Sequence, residues 1–197
     1  DCFVELAAMG LTGWGCVAGV LGQGWKERYW RTGLVKPGDG ARVGVELFGE
    51  IHRAFNSLDR SKRIRDNFKR HLENQERVDA EAVLLVADRV FAAVSDIADL
   101  VTSVVLVAEG ENKMKLRPSS SVPDCLVEAI RERVSRLRNV TFICPPCEAD
   151  SQLVFARRSG QIDWVLVASQ DSDMLMYGVS NLVLGYEVCL GVLVLFV

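Results

Sequence analysis

Two histidines and six cysteines in 197 residues leave little material for a zinc centre or a disulfide scaffold. Cys144-Pro145-Pro146-Cys147 is a C-x-x-C, but zinc needs two more ligands, and His52 and His71 lack matching spacing. Ordinary thiols, redox chemistry and metal binding stay open for that pair. Positive charge is not in excess: 23 Lys+Arg stand against 26 Asp+Glu, a net charge of −3. No global field therefore draws nucleic acid, although local basic patches still can. Long apolar runs are also missing. The longest, Leu182 to Val197, is broken by Glu187 and two glycines and falls short of the about 20 residues a membrane span needs. It reads as buried strands at a truncated end, with a membrane anchor and non-native sequence as the alternatives. Internal repeats and a secretory leader are not seen, so a reducing compartment is the expectation.

What is present is globular in character. Hydrophobic residues make up 49% and charged residues 25%, which excludes a disordered or collagen-like chain. The length suits one well-buried domain with room for a small appendage. Asp1 to Ala8 precede Met9 and read as a fragment boundary or an upstream extension.

Short β-branched runs at Ala41–Leu47, Thr102–Ala108, Val140–Cys144 and Asp163–Ala168 predict strands. Between them, Ala80–Leu100 places Val83, Ala87, Val90, Val94 and Ile97 at helical spacing, and Asp124–Arg138 does so with Val127, Ile130, Val134 and Leu137. The polar stretch Asn56–Arg77 predicts an exposed helix or helix-loop, and Arg117–Pro123 a loop. Strands alternating with helices predict an α/β fold, its mainly parallel sheet covered on both faces.

Each predicted strand delivers carboxylates at or just past its carboxyl end: Glu46, Glu109, Glu148 with Asp150, and Asp171 with Asp173. In an open parallel sheet those ends form the crevice where ligands bind. Clustered carboxylates repel unless they hold divalent cations. Oxygen-only ligands suit Mg²⁺ or Mn²⁺ rather than zinc. Two such ions roughly 4 Å apart suit in-line phosphodiester cleavage. A solvated loop acid or a helix N-cap is the plainer reading of any one of them, and four strands in succession argue against it for the set.

The segment Cys147 to Gly178, C-E-A-D-S-Q-L-V-F-A-R-R-S-G-Q-I-D-W-V-L-V-A-S-Q-D-S-D-M-L-M-Y-G, resembles the internal region of the flap endonuclease/XPG family of structure-specific nucleases. Met9-Gly10-Leu11-Thr12-Gly13-Trp14 is similar to the family's amino-terminal motif M-G-I-x-G-L/W. Val43 to Arg53 resembles its V-A-V-D-x-x-x-W-L-H-K/R strand and helix, and Val105 to Gly110 its V-F-V-F-D-G. The histidine at position 52 is similar to the exonuclease-1-like branch.

The resemblance implies a PIN-like nuclease core acting on nicked, flapped or 5′-ended duplex DNA, in repair or replication, as a nuclear monomer without a membrane. It implies one Mg²⁺ or Mn²⁺ near Glu46, Glu109, Glu148 and Asp150, and a second near Asp171 and Asp173. Lys113, Lys115 and Arg117 would steer the scissile phosphate, with Lys115 catalytic, and Gly10 and His52 would contact DNA. The implied layout is 1–8 extension, 9–116 amino-terminal region, 117–123 a shortened arch, 124–185 internal region and 186–197 an apolar end. A catalytically degenerate PIN-like module that binds nucleic acid or protein is the alternative.

Two departures carry expectations of their own. Glu46 and Glu109 stand where the family has Asp, and each adds about 1.5 Å of reach, one C–C bond. Either a fall in activity or a shift of preference to Mn²⁺ would follow, because Mg²⁺ demands near-ideal octahedral geometry. The chain also ends before the family's duplex-binding module and last metal-binding Asp, as a catalytic half would.

Other features have plainer readings beside functional ones. His52 is a partly buried core residue or a base-stacking one, and Arg60–Arg77 a solvated face or a phosphate contact. Asn139-Val140-Thr141 fits a glycosylation acceptor but leads into a predicted buried strand, and is read as structural. Trp14, Trp25, Trp30 and Trp164 read as packing residues.

Overall fold

The computed structural model describes residues 32–35, 39–58, 61–74, 76–110, 122–167, 174, 177–179, 181–183, 185–189 and 192–196. The strands are β1 (Thr32–Val35), β2 (Arg42–Glu46), β3 (Ser103–Val107), β4 (Val140–Ile143), β5 (Trp164–Leu166), β6 (Leu182–Val183), β7 (Gly185–Cys189) and β8 (Val192–Phe196). The helices are α1 (Leu47–Asn56), α2 (Ser61–Asn74), α3 (Ala80–Ala98), α4 (Asp124–Val134) and α5 (Ala149–Arg158). Five strands form a sheet in the order β4-β3-β2-β5-β6, every neighbouring pair parallel. A separate antiparallel sheet has the order β1-β8-β7.

The period-2 alternation of strand side chains divides the parallel sheet into two faces. Val43, Val45, Val104, Leu106, Leu166 and Val183 join one core cluster with the buried residues of α1, α2, α3 and α4. Val107, Val165, Val167 and Leu182 join a second with Ala149, Leu153, Val154 and Ala156 of α5. Helices therefore cover both faces, as expected for near-continuous apolar parallel strands.

Local chemistry sets the helix ends. The Asp79 carboxylate caps α3 by accepting from the Glu81 N–H (3.1 Å) and the Ala82 N–H (3.3 Å). Val83, Val86, Val90, Val94 and Ile97 then form its buried stripe. In α4, Asp124 lies in the first turn and Arg131 and Arg133 in the last, matching the helix dipole. Arg133 Nε also donates to Asp88 on α3 at 2.6 Å. The Asn139 side chain donates to the Ala98 and Val101 carbonyls at 2.7 and 3.1 Å, so its amide serves the fold. Trp164 packs against the first core cluster; the other three tryptophans lie outside the described residues. Among the described residues, no helix is long and apolar enough to cross a membrane.

At the amino edge of the sheet, Arg42 and Asp163 lock β2 to the start of β5. The Arg42 guanidinium donates to both Asp163 oxygens at 3.1 and 2.7 Å, and the Arg42 backbone N–H adds a bond of 2.9 Å. These bonds hold the Asp163 carboxyl below the usual carboxylate range, so its contribution is full above about pH 3.8 and fades as pH falls further. Asp163→Asn should cost about 1 kcal/mol, because both side chains are over one-third exposed and solvent screens the pair (41% and 37%). Thermal melts between pH 2 and 7 check this; a variant as stable as the parent at neutral pH would refute the lock.

Candidate acidic edge of the parallel sheet

Register brings the acids together at one edge. Glu46 is the last residue of β2 and pairs with Val107 of β3, while Glu109 follows two residues beyond. The Ala108 N–H donates to the Ile143 carbonyl at 2.8 Å, and the Gly110 N–H to the Cys147 carbonyl at 3.0 Å. The loops after β3 and β4 are thus bonded to each other, and Glu109 and Glu148 flank that bond. Glu148 is the N-cap of α5, and Asp150 sits in its first turn.

The face matters as much as the edge. Strand alternation places Glu46 on the same face as Gly44. A Cβ on Gly44 would lie 2.5 Å from Ile162 Cδ1 and 2.7 Å from Leu153 Cδ2, so α5 packs directly over that face. Asp150 is one turn before Leu153 on α5 and is buried, at 8% exposure. Glu46 (7% exposed) and Asp150 therefore lie on the side where α5 crosses the strand ends. The missing side chain at position 44 is what lets α5 approach.

The strand order also defines a switch point. The chain runs outward from β2 through β3 to β4, then crosses back through α5 to β5 on the other side of β2. The crevice between the carboxyl ends of β2 and β5 is where such sheets bind ligands. Glu46 borders it on one side. Asp171 and Asp173, expected on the other, lie outside the described residues, as do Gly10, Lys113, Lys115 and Arg117.

The sheet thus brings Glu46, Glu109, Glu148 and Asp150 to one edge without closing them into a cage. Among the described residues, no three His, Cys, Asp or Glu side chains form a ready ligand set. The Oε2 oxygens of Glu46, Glu50 and Glu109 are buried and accept no hydrogen bond, while each residue has another interaction in the chain. The four acids at the edge offer carboxylate oxygen, which fits a hard divalent cation such as Mg²⁺ or Mn²⁺.

Glu50 is the acid the sequence reading passed over. It is 1% exposed, in the first turn of α1, one turn beyond Glu46. It occupies the place of the aromatic residue in the V-A-V-D-x-x-x-W pattern, and that mismatch was the available signal. Glu50 lines a groove of about 290 Å³ between α1 and α3, together with Arg53, Ser57, Arg89 and Asp96.

His52 is exposed on α1, edge-on to Phe55 with centroids 6.3 Å apart. Phe55 is covered in turn by Phe68 of α2 and by the Arg65 guanidinium, 5.6 Å from its ring. Local burial first, then the Arg65 charge, push the His52 imidazole below its ordinary value of 6.5. The ring is therefore neutral at physiological pH. On α2, Ile64 and Phe68 are buried, Lys69 and Arg70 pair with Glu73 and Glu76, and Lys62 and Arg63 are exposed.

A depressed histidine in the fold means the unfolded chain takes up the proton first as pH falls. Stability should be full above about pH 6.5 and decline below it until the folded-state value is passed. His52→Gln should flatten that decline with little change in melting temperature at pH 8. Melting curves at intervals from pH 5 to 8 check it; an unaltered slope in the variant would assign the decline elsewhere.

The fold and its acidic edge define a PIN-like α/β domain. Residues 139–187 match the family model of the XPG I-region. The fold superposes on the catalytic core of Rad2 in complex with DNA substrate (TM-score 0.55, 14% identity), covering 87% of this chain and 50% of that one. It also superposes on human GEN1 in complex with Holliday junction DNA (TM-score 0.54, 15% identity), covering 87% of this chain and 42% of that one. The chain spans about half the length of the Rad2 core, or less of GEN1. No curated protein matches the sequence. Residues 139–187 are thus similar to an XPG I-region, on a fold shared with the catalytic core of Rad2 and with human GEN1.

Proposed function

We propose that this protein is a divalent-metal-dependent, structure-specific DNA nuclease of the 5′-exonuclease or flap-endonuclease type. The observation that supports it is the gathering of Glu46, Glu109, Glu148 and Asp150 at the carboxyl edge of a parallel sheet that contains an XPG I-region. Glu46, Glu109, Glu148 and Asp150 would hold one Mg²⁺ or Mn²⁺, and Asp171 with Asp173 a second. Such ions supply an activated water and stabilise the leaving oxygen of a phosphodiester. The protein's own residues do the rest: Lys113, Lys115 and Arg117 hold the scissile phosphate, and His52, neutral and exposed, stacks on a base at the DNA end. That histidine favours the exonuclease-1-like branch. Nicked, flapped or 5′-ended duplex DNA in the nucleus is the substrate this reading assigns, and the protein acts as a monomer.

The test combines cation binding and cleavage. Mn²⁺ or Mg²⁺ should raise the melting temperature, and Asp171→Asn with Asp173→Asn should abolish most of that shift. Stabilisation follows RT ln(1 + [L]/Kd), so about 2.7 kcal/mol is expected at a cation concentration 100 times Kd. Labelled flap and nicked-duplex DNA should be cut by the parent chain with Mn²⁺ and left intact by the variant. The degenerate-module reading is favoured by the open arrangement of the four described acids. It predicts DNA retention in a gel shift with neither cation response nor cleavage.

A further inference from the structure

The C-x-x-C at the end of β4 is not used by the proposed chemistry, yet it touches the acidic edge directly. Cys144 follows β4 immediately, Cys147 precedes the N-cap of α5, and the chain bends at Pro146 and Cys147. Both thiols are free and exposed. Cys144 Sγ lies 3.6 Å from the Glu109 carbonyl, as donor to it, and the Cys147 carbonyl accepts from the Gly110 N–H at 3.0 Å. One cysteine thus holds each side of the Glu109-Gly110 segment. The two cysteines are separated by two prolines, whose fixed φ angles limit the ways the loop can move.

We propose that Cys144 and Cys147 form a reversible dithiol–disulfide pair that locks the β4–α5 loop against the Glu109-Gly110 segment. The oxidant class is a small disulfide such as glutathione disulfide. One protein thiolate attacks it, forming a mixed disulfide and expelling one glutathione thiolate. The second protein thiolate displaces the other glutathione, closing the Cys144–Cys147 bond. Two electrons pass from the protein to the oxidant, and the two thiol protons end on two molecules of glutathione. Closure gives up the Cys144 S–H bond to the Glu109 carbonyl but ties Cys147 to the end of β4, and so fixes the carbonyl that binds Gly110. Glu148, the next residue, is fixed with it; only the consequence for cation binding rests on the proposed function.

The test needs neither metal nor DNA. The full chain is equilibrated with glutathione disulfide, alkylated, digested and mapped by mass spectrometry. The peptide holding Cys144 and Cys147 should lose both alkylatable thiols together, with the loss of two hydrogens, and dithiothreitol should restore them. Cys125, a lone exposed thiol on α4, serves as the internal control and should carry glutathione instead. Cys144→Ser should trap glutathione on Cys147, and Cys147→Ser should trap it on Cys144. Hydrogen exchange at the Gly110 amide should slow in the oxidised parent and not in either variant. Glutathione retained on both cysteines of the parent, thiols that stay reduced while Cys125 reacts, or unchanged Gly110 exchange would each overturn the proposal. If the disulfide forms and slows Gly110 but Mn²⁺ stabilises neither redox state, the cation reading fails and the switch stands.

Discussion

Gly110→Ala is expected to lower the melting temperature more than any other glycine substitution at the sheet. A Cβ at that position would collide with the Pro145 and Cys147 carbonyl oxygens and come within 2.8 Å of the Pro146 carbonyl carbon. All three are backbone atoms in a proline-restricted loop, so no side-chain rotation relieves the contact. The loops after β3 and β4 must part, and the bond from Gly110 to Cys147 is lost with them. Overpacking costs about 1–3 kcal/mol and the lost hydrogen bond about 1 kcal/mol more. In a domain of this size each kcal/mol moves the melting temperature by about 2–4 °C. Gly44→Ala is the informative comparison. There the added carbon meets the Cδ atoms of Ile162 and Leu153, which can turn aside. Calorimetry of the two variants should rank Gly110→Ala as the more damaging; the opposite ranking would show that the β3–β4 loop contact is soft.

Short strands of β-branched residues were legible to within a residue or two: Arg42–Glu46, Ser103–Val107 and Val140–Ile143 all fall inside the expected runs. For β2 and β3 the apolar character follows from packing on both faces, which local composition records directly, while β4 at the sheet edge is only partly buried. Helix α3 was legible for the same reason, its buried stripe repeating at helical spacing. Helix α4 was expected to reach Arg138 and ends at Val134. The Ser135 and Leu137 N–H groups close a final turn, and the Asn139 side chain donates to the Ala98 and Val101 carbonyls, so the helix gives way to turns before β4 begins at Val140. Helix α1 was found only through motif resemblance, because Gly49 and the buried Glu50 interrupt its apolar face. Strand β1 was not seen at all; its partner β8 lies at the far end of the chain, and no local pattern reports such a pairing. Among the described residues, Glu46, Glu109, Glu148 and Asp150 were legible as acids at or just past strand ends. That Glu46 and Asp150 share a face was not, because it depends on how closely α5 packs over Gly44.

Shortening Glu46 and Glu109 together to Asp is expected to shift the cation preference of cleavage from Mn²⁺ toward Mg²⁺. The argument rests on the proposed function and on what the backbone holds fixed. Glu46 is pinned opposite Val107 by the β2–β3 ladder, and Glu109 lies next to the bond between Gly110 and Cys147. With both backbones held, carboxylate reach is set by side-chain length, and each Glu adds about 1.5 Å. Mg²⁺ tolerates little departure from octahedral bonds of about 2.0–2.1 Å, so it should benefit most from the shorter arms. The ratio of Mg²⁺-supported to Mn²⁺-supported cleavage should rise at least about tenfold, or about 1.4 kcal/mol of activation free energy. Fold stability is a useful counterweight. Glu46 is the N-cap of α1 and makes no side-chain capping bond. Asp is a strong N-cap residue, so Glu46→Asp alone should hold or raise the melting temperature. Glu46→Gln with Glu109→Gln keeps the longer arms and removes the charge, and should abolish cleavage with either ion. If the Asp substitutions instead reduce cleavage equally with both ions, the edge is built around the longer arms. The extra methylenes would then be part of the site rather than a departure from it.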